Sequence, residues 1–250
     1  MAFFTLLANG SSDQCKPSIQ SLTTSPPLWL SHHQDYLKLK DAFEEVASYL
    51  RQPKAKDFPS GAINLALAAM DSIKKSSNVY QRISENLRKQ SSRALARANK
   101  GPSQQLNSSL TEILGSLGEI LVSMGLWGVE RVQASSSDLY PEKIWLDRTE
   151  LRAAFPFLIG ETDVIFRGRL REEALESNQT IRVGEVKSLV KSRKLNSDEI
   201  KQAKRYAEMA GAKSKLGYDY KIYYFFPLAA PSPESVKRLE SMGITVIRSE

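Results

Sequence analysis

The sequence predicts an α/β protein, with an α-helical N-terminal region ahead of a central mixed β-sheet flanked by helices. Three observations predict it. Apolar residues recur at helical spacing in three stretches between Tyr36 and Leu95. A break at Gly101-Pro102-Ser103 precedes the most regular amphipathic stretch of the chain. Short β-patterned runs then follow, with a helical stretch ahead of each of the last two.

Residues 8–33 are rich in Ser, Thr, Gln and Pro and include Pro26-Pro27-Leu28-Trp29-Leu30, so residues 1–33 read as an irregular arm. Residues 34–100 read as a helical region. Tyr36, Leu39, Phe43, Val46 and Leu50 define its first helix, which Pro53 ends. Ile63, Leu67, Met70 and Ile73 define a second helix over about 60–75, and Val79, Ile83, Leu87 and Leu95 a third over 78–99. Residues 101–250 read as the second domain. Leu106, Leu110, Ile113, Leu114, Leu117, Ile120, Leu121 and Met124 form one apolar stripe over five turns. Gly115, Ser116, Gly118 and Ser123 lie largely off that stripe, with Glu119 among them. Residues 126–132 and 160–166 read as strands, and the charged run Arg167 to Thr180 as an extended hairpin. A third strand carries Arg182-Val183-Gly184-Glu185-Val186-Lys187. A helix over 197–210, a strand over 220–226 stopped by Pro227, a helix over 233–242 and a short edge strand over 244–247 complete the chain.

Side chains on a strand alternate faces, so Glu185 and Lys187 project from one face. Asp163 opens the preceding strand. A carboxylate on each of two adjacent strands, with a lysine beside one of them, suits a hard divalent cation and a water held next to it. Such chemistry hydrolyses phosphodiesters. Gln202 and Tyr206 are four apart and share a helix face.

These residues, in this order, resemble the PD-(D/E)XK (restriction-endonuclease-like) nuclease superfamily over roughly residues 104–227, and Gln202-Ala203-Lys204-Arg205-Tyr206 resembles the Gln-x-x-x-Tyr signature of its RecB-like branch. Thr162 stands where the family motif has proline, and the gap from Asp163 to Glu185 is long. The resemblance implies a helix–three strands–helix–strand core and a DNA substrate. It implies Mg²⁺, with Mn²⁺ as a substitute, held by Asp163, Glu185, the carbonyl of Val186 and Glu119. Lys187 would orient the attacking water and offset charge on the phosphate, with Gln202 supporting the site. Tyr206, Lys204, Arg205 and the loop residues Lys191, Arg193 and Lys194 would contact nucleic acid.

At 250 residues and 41% hydrophobic composition the chain can bury a core and is not disordered in bulk. Its formal charge is +7, and residues 1–100 carry 14 Lys/Arg against 8 Asp/Glu. A basic balance suits a polyanionic partner without separating DNA from RNA or a membrane surface. Between Lys74 and Lys100, Glu85 is the one acid among eight basic residues. Arg88, Lys89 and Arg93 are the DNA-contact candidates there. A single cysteine, Cys15, excludes an intrachain disulfide or cysteine zinc site. The apolar start lacks a basic n-region, and no segment reaches transmembrane length, so the expectation is a cytoplasmic protein, nucleoid-associated when acting, without a membrane. His32-His33 and the three tryptophans carry no assigned chemistry.

The expected function is metal-dependent DNA cleavage, with an endonuclease favoured over an exonuclease. A restriction-type sequence-specific enzyme, a structure-selective endonuclease, and a non-catalytic nucleic-acid-binding or assembly protein on the same fold remain alternatives. A homodimer or larger nucleoprotein complex would serve an enzyme that cuts both strands.

Overall fold

A computed structural model describes residues 32–53, 57–76, 80–99, 103–133, 145–150, 161–167, 180–211 and 219–248. The expected arm falls almost wholly outside these residues, and so does the expected hairpin between 167 and 180. Among the described residues the protein is mixed α/β. In chain order its elements are α1 (His33–Arg51), α2 (Ser60–Ser76), α3 (Gln81–Ala98), α4 (Gln104–Gln133), β1 (Trp145–Glu150), β2 (Glu161–Arg167), β3 (Thr180–Val186), α5 (Ser197–Gly211), β4 (Asp219–Phe226), α6 (Pro233–Glu240) and β5 (Thr245–Arg248).

Two compact units divide between Leu121 and Val122, inside α4 and about twenty residues past the Gly101-Pro102-Ser103 break. The first half of α4 belongs with the helical unit, whose core its apolar stripe helps to fill. Leu106, Leu110, Ile113, Leu114 and Leu117 are buried there, as are Leu39, Phe43, Val46, Ile63, Met70, Ile73, Ile83 and Leu87 of α1–α3. Polar contacts lock α3 to α4. Asn86 donates to Ser116 Oγ at 3.1 Å, and Arg97 donates to the Gln105 carbonyl and to Ser109 Oγ. Ser116, Gly118 and Ser123, expected off the apolar stripe, are buried. Small side chains widen the buried face of this helix beyond its aliphatic residues.

One strand expectation fails. Residues 126–132 continue α4 as far as Gln133, and the first strand is instead β1, which starts at Trp145. Leu126, Val129 and Val132 recur at a spacing of three, which continues a helical stripe and does not alternate. A helix already formed adds each residue for one more hydrogen bond, whereas a strand needs a partner.

The sheet has the order β1-β2-β3-β4-β5. β1–β2 and β2–β3 pair antiparallel, while β3–β4 and β4–β5 pair parallel. The two parallel steps run through helices α5 and α6, as a parallel crossover requires. β5 lies at the sheet edge, as expected. One sheet face buries Val183, Ile222, Tyr224 and Phe226 against Ile200, Ala203 and Tyr206 of α5 and Leu239 of α6. This apolar layer fixes α5 over the end of β3.

The helix ends are specified locally. Asn196 Oδ1 accepts from the N–H groups of Asp198 and Glu199, and Glu199 Oε2 accepts from the Asn196 N–H at 2.7 Å. This reciprocal cap satisfies donors at the start of α5. Asn196→Ala should therefore destabilise the protein by about 1 kcal/mol, read as a lower urea midpoint at unchanged slope. After α6, Gly243 adopts φ +77°, donates to the Glu240 carbonyl, and lets Ile244 N–H reach the Leu239 carbonyl. That turn directs the chain into β5.

Candidate active site

β3 lies between β2 and β4, and this setting places the candidate side chains. Val164 of β2 stands opposite Gly184 of β3. Asp163, one residue earlier, therefore comes across from Glu185, on the face covered by α5. The side chains of Val164 and Phe225 occupy the space over Gly184, which has no side chain of its own. A Cβ there would lie 2.4 Å from Val164 Cγ1 and 2.8 Å from a Phe225 ring carbon. The parallel ladder continues past Val186, with Lys187 N–H donating to the Phe225 carbonyl at 2.9 Å.

Four side chains close a ring of hydrogen bonds. The Lys187 ammonium donates to Glu185 Oε1 and, at 3.1 Å, to Gln202 Oε1. Gln202 Nε2 donates to Tyr206 Oη at 3.4 Å, and Tyr206 Oη donates to Glu185 Oε2 at 3.1 Å. Asp163 Oδ2 accepts from the Val186 N–H at 2.7 Å. The strand pair thus supplies the two carboxylates, and α5 supplies the groups that hold one of them.

The electrostatics follow from burial and from like charge. Burial, reinforced by the charge of Glu185, holds the Asp163 carboxyl well above its ordinary range, although Lys187 and the Val186 N–H oppose this. For Lys187, burial disfavours the ammonium, but the adjoining Glu185 outweighs it and Asp163 adds to it, so its pKa rises. Burial, then Glu185 and Asp163, push the phenols of Tyr206 and Tyr224 up, which keeps both as donors. Two facing carboxyl groups in a buried setting form a site short of positive charge. Hard oxygen donors of this kind fit Mg²⁺ or Mn²⁺. Among the described residues no group of three or more His, Cys, Asp or Glu is placed to hold a metal. The side chains that fit such an ion are thus Asp163 and Glu185, and the Val186 N–H already donates to Asp163. Glu119 lies on the α4 segment that belongs to the helical unit.

The expected nucleic-acid residues divide by burial and partner. Tyr206 is 3% exposed and donates to Glu185, so it braces that carboxylate. Arg193 donates to both Glu199 oxygens, at 2.7 and 2.6 Å, and to the Lys194 carbonyl. That clamp ties the loop after β3 to α5. The loop is also pinned towards α6, through Ser232 N–H to the Arg193 carbonyl and Leu195 N–H to Ser235 Oγ. Lys191 is exposed, Lys194 pairs with Glu234, and Lys204 lies 3.7 Å from Glu208. Arg205, Lys89 and Arg93 are exposed, and Arg88 pairs with Asp71.

Three residues at or near the site escaped the sequence reading. Asn196 and Glu199 carry an Asn-x-x-Glu capping pattern at the start of α5. Tyr224 sits beside Glu185 in the parallel register and meets the Tyr206 ring edge-on at 6.4 Å. No local signal distinguishes it from the other aromatics of β4. Removing the Tyr206 hydroxyl leaves a buried Glu185 oxygen without its donor. Tyr206→Phe should accordingly cost about 1–3 kcal/mol in urea unfolding with EDTA present.

No protein-family model matches the chain, and a search of curated proteins finds no match either. No helix among the described residues is long and apolar enough to cross a membrane.

Proposed function

We propose that this chain is a divalent-metal-dependent nuclease that hydrolyses phosphodiester bonds in DNA, with endonucleolytic cutting favoured, on a restriction-endonuclease-like core. The observation that carries the proposal is the meeting of Asp163 and Glu185 across β2 and β3, with the Lys187 ammonium on Glu185. The element order from α4 to β4 agrees with the order that the resemblance implies.

Asp163 and Glu185 hold the negative charge that binds a cation. When bound, such a cation supplies a Lewis acid for the phosphoryl oxygen and lowers the pKa of a water. Lys187 is the one cation in the ring, and its side chain is partly open to solvent. It offsets charge developing on the phosphate and orients the attacking water. Gln202 and Tyr206 fix Lys187 and Glu185 in place. The exposed Lys191, Lys204 and Arg205 are suited to phosphates that position a duplex without reading its sequence.

The test is incubation of the purified protein with supercoiled plasmid, linear duplex, single-stranded DNA and RNA, each with Mg²⁺, Mn²⁺ or EDTA. Cleavage in metal and none in EDTA is expected. Nicked or linear plasmid selects an endonuclease, discrete bands a sequence-specific one, and resistance of the circle an exonuclease. Binding of DNA without cleavage in either metal would turn the reading to a non-catalytic nucleic-acid-binding protein.

A further inference from the structure

Tyr224 is wholly buried, at 0% exposure, yet its hydroxyl has no hydrogen-bond partner among the described residues. A buried phenol without a partner is costly and is seldom retained without a reason. Its place in the sheet is specific. Tyr224 is the register neighbour of Glu185 on parallel strands, so both side chains leave the sheet on the same face. The ring of Tyr206, whose hydroxyl holds Glu185, packs edge-on against it. Both Glu185 oxygens already have donors, Lys187 on one and Tyr206 on the other. The Tyr224 hydroxyl is therefore an additional donor next to the carboxylate pair that the ring leaves unused. The nearby carboxylates of Glu185, Asp163 and Glu199 act with burial to keep it protonated.

We infer that Tyr224 is a positioning residue of the cation site, whose hydroxyl holds a water of the hydration shell of the divalent ion bound by Asp163 and Glu185. The inference rests on the proposed reading of that carboxylate pair. Mg²⁺ and Mn²⁺ keep several waters in sites with few protein ligands, and outer partners of this kind fix those waters. Tyr224 thus acts on the metal through water, and the substrate does not touch it.

The experiment titrates Mn²⁺ into the full chain, by calorimetry and by the paramagnetic resonance of free Mn²⁺, for the wild type, Tyr224→Phe and Asp163→Asn. Melting curves in EDTA accompany it. Tyr224→Phe should weaken Mn²⁺ binding about tenfold, the lower end expected for losing an outer-shell partner. Its metal-free melting temperature should be equal or higher, because an unsatisfied buried hydroxyl is removed. Wild-type binding that Asp163→Asn abolishes but Tyr224→Phe leaves unchanged would overturn the role of Tyr224 and leave the cation site standing. A drop in metal-free melting temperature for Tyr224→Phe would also overturn it, since the hydroxyl would then serve the fold. Binding indifferent to Asp163→Asn would overturn the cation site and this inference together.

Discussion

Asp163→Asn should abolish metal-dependent cleavage and at the same time stabilise the metal-free protein. Both effects come from one charge. The Asp163 and Glu185 carboxylates meet in a buried setting, and burial together with Glu185 raises the Asp163 pKa. Their repulsion is useful only when a cation is bound. Asparagine keeps an oxygen for the Val186 N–H, so the strand contact at 2.7 Å survives the change. Half of the charge that attracts the metal is lost. Cleavage should fall by at least about 10²–10³-fold, the scale for losing one electrostatic element of an active site. Urea unfolding in EDTA at neutral pH should show a gain of about 0.5–2 kcal/mol, as when strain stored at a functional site is released.

The pH dependence has a defined sign. Folded Asp163 binds its proton more tightly than unfolded Asp163 does, so deprotonation disfavours the fold. The wild type in EDTA should lose stability as pH rises from the ordinary aspartate value of 3.8 towards the raised one, and Asp163→Asn should lack this component. A variant that is less stable than the wild type throughout that range, or that still cuts at the wild-type rate, would contradict the account.

Gly184→Ala should unfold or badly loosen the sheet. The added Cβ would come 2.4 Å from Val164 Cγ1 and 2.8 Å from the Phe225 ring, on strands that flank β3 on both sides. Val164 and Phe225 are fully buried, so neither has free space into which to move. Overpacking of this kind costs about 1–3 kcal/mol, and relief by shifting β3 would carry Glu185 away from Asp163. A single methyl group on the face opposite the site should therefore reduce both the urea midpoint and cleavage. Wild-type values for both would show that β3 is not held as described.

How far the site was legible follows from the range of each signal. Glu185 and Lys187 are two apart on a strand, and Gln202 and Tyr206 four apart on a helix, so short-range periodicity was enough to place each pair on one face. Asp163 was legible through its position at the start of a β-patterned run. The need for glycine at 184 and the neighbour relation of Tyr224 to Glu185 depend on strand register, which no local pattern encodes. The continuation of α4 through residues 126–132 was hidden because Trp127, Val129 and Val132 are residue types common in strands. The hold of Tyr206 on Glu185 and the clamp of Arg193 on Glu199 depend on burial and on tertiary partners. Composition and spacing report neither.

The central claim is that the Asp163–Glu185–Lys187 cluster cuts nucleic acid with a bound divalent ion. Its most direct test is supercoiled plasmid cleavage by the wild type and by Lys187→Ala, with Mg²⁺ and with EDTA. Circular dichroism should first establish that the variant is folded. Relaxed or linear plasmid is expected from the wild type in Mg²⁺ alone, and intact plasmid from Lys187→Ala. Cleavage that persists in folded Lys187→Ala, or that is unaffected by EDTA, would contradict it.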